Sequence, residues 1–128
     1  MLSSAGIEFY FLDKPAVWKK IPLLEKKVKN PCHVFFNCYQ NNQSICLHEG
    51  ILYPCHVGNR VKIFNKRFNK DYPTDHNGIN IHECKCLDEL LTFLSNPIPL
   101  CSNCGVCEME LIDWGRSERN IEEWLLIK

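Results

Sequence analysis

The chain has 128 residues, nine of them cysteine, and its fifteen Lys and Arg balance fifteen Asp and Glu for a formal charge of zero. A neutral balance carries no footprint for nucleic acid or for an anionic membrane. One domain with a modest core is expected at this size, which is too small for an eight-stranded enzyme barrel of about 250 residues.

The first residues, Met1 to Glu8, lack a basic segment, and the apolar run Phe9 to Leu12 is too short for a signal peptide. No run approaches the roughly 18 apolar residues of a membrane span. The reading is therefore a cytoplasmic chain with neither nucleic acid nor membrane as partner. In a reducing compartment, cysteines at motif spacing are more often metal ligands or redox thiols than disulfides.

Ile7 to Leu12 is short and aromatic-rich, and Asp13-Lys14-Pro15 follows it, which predicts a strand stopped by a turn. Between Ala16 and Asn30, lysines interleave with apolar residues and Pro22 interrupts any long helix, so a short amphipathic turn or a linker is expected. Ser44 to Val57 contains two β-prone runs around His48-Glu49-Gly50, the pattern of a hairpin whose glycine supplies a positive φ. Val61 to Phe68 reads as a further extended segment and Asp71 to Gly78 as a loop. Leu87, Leu90, Leu91 and Leu94 recur at helical spacing up to Asn96-Pro97, and Pro97 to Leu100 then continues extended. A short helix is predicted over Glu118 to Ile127. The sum is a small α+β fold: a hairpin-centred sheet with one or two packed helices and a cysteine-rich loop.

The strongest chemical signal is Cys101-x2-Cys104-x2-Cys107. Two thiolates two residues apart grip one metal or one cluster through a tight turn, and such a knuckle serves zinc and iron–sulfur sites alike. Ser102, Asn103 and Gly105 are loop residues, and Gly105 is expected to help the backbone bend. A second part lies in the hairpin, where Cys38-x11-Gly50-x4-Cys55 precedes the Leu87 to Leu94 helix.

The order Cys38, hairpin turn at Gly50, Cys55, helix, then Cys101 and Cys104 resembles the SPASM and twitch domains, the auxiliary iron–sulfur modules at the C-terminal end of many radical S-adenosylmethionine enzymes. The resemblance covers residues 31–107. It implies a 4Fe-4S cluster held by Cys38, Cys55, Cys101 and Cys104, with Cys46 and Cys107 in reserve, and a role in electron transfer or substrate positioning. A full SPASM domain carries further cysteines after its knuckle and two clusters. Here none follows Cys107, so a one-cluster, twitch-like site is the better match. The C-x3-C-x2-C triplet that binds the catalytic cluster of these enzymes occurs nowhere in the chain. Residues 1–30 then correspond to a barrel exit or linker and 31–128 to the cluster domain. Any use of S-adenosylmethionine depends on a radical SAM barrel supplied by a partner subunit or a missing N-terminal portion, and catalysis by this chain alone is not expected.

The competing reading of the same thiols is a structural zinc module with four cysteine ligands that mediates protein interaction. Strand parity frames the choice between Cys38 and Cys46. With a two-residue turn at Glu49-Gly50, Cys46 faces Tyr53 and is a same-face diagonal neighbour of Cys55; with a three-residue loop it leaves that face. Cys38 is the first choice and Cys46 the reserve. Cys32, Cys84 and Cys86 read as packing or surface residues, and His82-x-Cys84-x-Cys86 is only a weaker metal trio. His33, His48, His56 and His76 are expected to be solvated.

Overall fold

The computed structural model describes residues 17–41, 43–113 and 115–126. The strand expected at Ile7 to Leu12 lies outside them. In chain order the elements are β1 (Trp18–Lys20), β2 (Leu23–Leu24), α1 (Pro31–Phe36), β3 (Cys46–His48), β4 (Ile51–Tyr53), α2 (His56–Phe68), β5 (Ile79–Asn80), α3 (Leu87–Leu94), β6 (Glu110–Ile112) and β7 (Leu125–Leu126). Single 3-10 turns stand at Pro99–Asn103, Val106–Glu108 and Ile121–Glu123. Helices and short strands mix in the expected α+β manner, and among the described residues no helix is long and apolar enough to cross a membrane.

The hairpin forms around the two-residue turn Glu49-Gly50, with Cys46 opposite Tyr53 and His48 opposite Ile51. Both turn residues adopt positive φ, 50° at Glu49 and 76° at Gly50. That geometry matches the right-handed twist of paired strands and makes glycine the favoured second residue. β5 pairs antiparallel with β4 and completes a three-stranded sheet.

Within the segment expected to be an amphipathic turn or a linker, Trp18–Lys20 and Leu23–Leu24 form two short strands. β1 pairs antiparallel with β6, and β2 pairs parallel with β7, about a hundred residues away in the chain. Residues from both ends of the described chain are thereby closed around the cysteine-rich turns. Leu23 and Leu125 are buried here with Val61, Tyr72, Ile98 and Leu100 in one core cluster.

Three further expectations are corrected. Residues 61–68 are helical, not extended, because α2 runs from His56 to Phe68. Its Val57, Val61 and Phe64, spaced i, i+4 and i+7, all reach the core, and Asn69 ends it in the left-handed conformation. The chain after Pro97 turns into a 3-10 segment instead of staying extended. Near the C-terminus, the expected helix is only the 3-10 turn Ile121–Glu123 leading into β7. Asn120 caps that turn, its side chain accepting from the Glu123 N–H at 3.2 Å.

α3 keeps its expected limits but not its expected face. Leu87 is 66% exposed and Leu91 49%, while Phe93 packs against the core.

Candidate metal centre

Four cysteines from three separate segments meet at one cavity of about 40 Å³: Cys38, Cys55, Cys101 and Cys104. The rest of its wall is apolar apart from Asn41 and includes Ile21, Pro22, Leu23, Val34, Phe35 and Leu100. Each thiol arrives by a distinct local device.

Cys38 follows α1. Pro31 begins that helix, where a missing N–H costs nothing, and the Asn30 side chain accepts from the His33 N–H at 3.1 Å. Val34 and Phe35 are the buried side of α1. The Cys38 N–H donates to the Phe35 carbonyl at 3.2 Å, which curls the chain so that the thiol follows the buried face.

Cys55 stands where the hairpin hands over to α2. Pro54 is fully buried before it, and a proline there disfavours helix in the preceding residue. Cys55 is extended as the cap of α2, and its carbonyl accepts from the Gly58 N–H at 3.1 Å. Its side chain makes no capping bond.

Cys101 and Cys104 belong to the 3-10 turn and its end. The Cys101 N–H donates to Ile98 at 2.9 Å and the Cys104 N–H to Cys101 at 3.4 Å. The 22–28 segment clamps this knuckle: Leu23 bridges Cys104, the Gly105 N–H donates to the Pro22 carbonyl at 2.8 Å, and the Val28 N–H donates to the Ser102 carbonyl at 2.8 Å. Asn103 adds a side-chain bond from Nδ2 to the Leu24 carbonyl at 3.0 Å. Gly105 serves this clamp more than the bend. Its φ is an ordinary −91°, but a Cβ there would lie 2.7 Å from the Pro22 carbonyl oxygen.

Burial makes these thiols weak acids. It pushes Cys101 up to about 11, partly offset by a backbone hydrogen bond at Ile98, with Cys55 and Cys38 adding to the rise. Cys104 is pushed up to about 12, again chiefly by burial, with Cys38, Cys55 and Cys101 contributing. Burial also raises Cys55, with a smaller contribution from Cys38. A negative charge on one of these neighbours thus disfavours ionisation of Cys55, Cys101 and Cys104.

As the side chains stand, no three His, Cys, Asp or Glu among the described residues are grouped to hold a single metal ion. The four cysteines line one shared, mostly apolar space.

The remaining cysteines lie elsewhere. Cys46 is outside the cavity lining and accepts a hydrogen bond from Asn59 Nδ2 at 3.4 Å. The hairpin has the two-residue turn, yet the handover at Pro54 takes Cys55 out of the strand, so the diagonal relation does not bring Cys46 into the cavity. Cys107 is exposed on the following turn and does not line the cavity. Cys32 and Cys86 are exposed, and Cys84 donates to the Asn80 carbonyl at 3.4 Å. His33, His48, His56 and His76 are exposed.

Sequence reading missed the apolar clamp at 21–24 and the buried Asn77. The clamp is made by pairing with the opposite end of the chain, which leaves no local signature. Compared with known proteins, the chain matches no family model, no curated protein and no solved structure.

Proposed function

We propose that this chain is an iron–sulfur module in which Cys38, Cys55, Cys101 and Cys104 hold one 4Fe-4S cluster. The observation that carries the reading is the convergence of those four cysteines on one otherwise apolar cavity. A cubane takes one thiolate at each of four irons, so its ligands stand farther apart than those around a single tetrahedral zinc ion. The four cysteines around one shared space offer one thiolate for each iron of a cubane, the ligand set that the resemblance to twitch domains also implies, while a four-cysteine zinc module would use the same donors. The apolar wall would set the potential of the cluster through burial and the few hydrogen bonds available to its sulfurs.

Four protein ligands leave no iron open to substrate, which favours electron transfer over direct substrate binding. The resemblance to SPASM and twitch domains supports a partnership with a radical SAM barrel, carried by another subunit or by a portion N-terminal to this chain. S-adenosylmethionine chemistry belongs to that barrel. Thiols free to take up a cluster call for a reducing compartment, in keeping with the cytoplasm.

The test is anaerobic reconstitution of the chain with iron and sulfide. A brown protein with about four irons per chain is expected, the composition of a cubane held by four thiolates. Replacing Cys101 and Cys104 with Ser should abolish the colour, while Cys32→Ser and Cys86→Ser should retain it. A colourless protein retaining one zinc would overturn the cluster in favour of the structural module. Reductive cleavage of S-adenosylmethionine by the purified chain alone would overturn the accessory role.

A further inference from the structure

Among the described residues, Asn41 is the one hydrogen-bonding side chain besides the four thiols in the wall of the cavity lined by Cys38, Cys55, Cys101 and Cys104. The backbone places it there: the Asn41 N–H donates to the Cys38 carbonyl at 3.1 Å, which fixes the residue one turn after that thiol. Its side chain is poorly used. Nδ2 reaches the Phe35 carbonyl only at 3.5 Å, beyond the usual range of such a bond. Oδ1 is buried and has no hydrogen-bond partner.

The long bond to Phe35 is also dispensable. That carbonyl already accepts from the Cys38 N–H at 3.2 Å and from the Asn37 N–H that ends α1. Two other buried side-chain oxygens among the described residues lack partners, Gln40 Oε1 and Asn103 Oδ1. Neither residue lines this cavity, and each has its amide nitrogen committed, Gln40 Nε2 to the Tyr39 hydroxyl at 3.1 Å and Asn103 Nδ2 to the Leu24 carbonyl at 3.0 Å. Asn41 is thus the amide that can turn about its broad last torsion without giving up a good bond. A buried polar group left so unsatisfied calls for an explanation, and a redox role is one.

We propose that Asn41 turns its amide to donate an Nδ2 hydrogen to a sulfur of the cluster held by the four cysteines, and that this donation raises the reduction potential of the cluster. The inference rests on the cluster reading given above. A reduced cluster carries one more negative charge than an oxidised one, so a donor at its sulfur stabilises the reduced form more. With no other side-chain donor in the wall apart from the thiols, no neighbouring side chain replaces this N–H once it is removed. The thiolates hold the iron and Asn41 tunes it, so iron content and potential respond separately to substitution.

The experiment compares the reconstituted full chain with Asn41→Leu and Asn41→Asp, which keep the size and branching of the side chain, by iron analysis and by redox titration followed in visible absorbance. Both variants are expected to bind as much iron as the unaltered protein. In Asn41→Leu the ratio of reduced to oxidised cluster at a fixed applied potential should fall about tenfold, which is about 59 mV for a one-electron couple. Asn41→Asp loses the same donor and should fall at least as far. Because Oδ1 has no partner to lose, Asn41→Leu should not lower the melting temperature of the iron-free chain, as removal of a merely structural residue would. One measurement needs no variant: with asparagine labelled by 15N at the side-chain amide, pulsed EPR of the reduced cluster in the unaltered protein should show a nitrogen coupling. Absence of that coupling, or an unchanged potential in Asn41→Leu at full iron content, would overturn the proposal and leave the cluster reading standing. Loss of iron from both variants would overturn it too, since Asn41 would then hold the cluster and not tune it. An unaltered chain that takes up no cluster would remove the reading itself and this proposal with it.

Discussion

Leu100 donates its backbone N–H to Asn77 Oδ1 at 3.0 Å, across 23 residues of sequence. Asn77 has no solvent exposure, and its Nδ2 donates in turn to the Pro73 carbonyl at 2.6 Å. One amide thus ties the 71–78 loop to the turn that presents Cys101. Asn77→Ala would leave the buried Leu100 N–H and the part-buried Pro73 carbonyl without their partner. A loss of about 2–4 kcal/mol is expected, from one to two stranded polar groups plus the vacated volume. Denaturant unfolding checks this: the midpoint should fall with little change in slope. A loss under about 0.5 kcal/mol, the range of ordinary surface substitutions, would contradict the role.

Gly105→Ala tests the clamp. An added Cβ would sit 2.7 Å from the Pro22 carbonyl oxygen and 2.9 Å from Pro22 Cγ. Because the obstructing atom is backbone, the Pro22 to Leu24 segment must move away. The Gly105–Pro22 hydrogen bond of 2.8 Å would lengthen with it. Destabilisation of about 1–3 kcal/mol is expected, as for overpacked sites. Iron retention during gel filtration should fall in parallel, since the displaced residues roof the cavity.

What could be read from the sequence was local. Gly50 and its flanking β-prone runs specify the hairpin and its register, because a two-residue turn and side-chain parity leave few alternatives. The knuckle was legible in its spacing, and α3 in its leucines. α2 was not, since Val57, Val61, Ile63 and Phe64 carry β-favouring side chains. What decides the matter is that three of them reach the core at helical spacing while Ile63 stays 61% exposed. Leu87 and Leu91 also show that helical periodicity leaves open which part of a leucine face meets the core. The β1–β6 and β2–β7 pairings join opposite ends of the chain, and nothing within either strand encodes its partner. Convergence of Cys38 with Cys55, Cys101 and Cys104 was an expectation of the resemblance to SPASM and twitch domains, whereas the clamp that roofs the cavity had no counterpart in the sequence reading.

The buried thiols make a pH signature for the metal-free chain. An unfolded cysteine titrates near 9.0, while Cys101 and Cys104 in the fold are pushed up to about 11 and about 12. Below pH 9 both states hold these protons and stability is independent of them. Above it the unfolded state releases protons that the folded state still retains, so stability falls until the folded values are passed. The melting temperature of the apo chain should therefore decline between pH 9 and pH 11–12 more steeply than that of the Cys101→Ala/Cys104→Ala double variant. Equal slopes would show that these thiols are not protected in the fold. Ligation has the opposite sign: a cation must displace the protons, so metal uptake should strengthen as pH rises toward 9.

Cys38 and Cys46 provide the sharpest discrimination, because both precede the hairpin turn and only Cys38 lines the cavity. Cys46 is occupied by Asn59 Nδ2 at 3.4 Å. A serine at 46 can accept the same hydrogen bond, so Cys46→Ser should reconstitute like the unaltered protein, with stability changed by no more than about 1 kcal/mol. Cys38→Ser removes a thiolate from the cavity and replaces it with a weaker ligand for iron. Lower iron content, faster bleaching in air and loss of the metal-linked gain in melting temperature are expected together, because binding free energy here is also folding free energy. The paired measurement is iron per chain and visible absorbance for the two variants prepared side by side. If Cys46→Ser loses the cluster and Cys38→Ser keeps it, the ligand set must be redrawn around the hairpin strand rather than the end of α1.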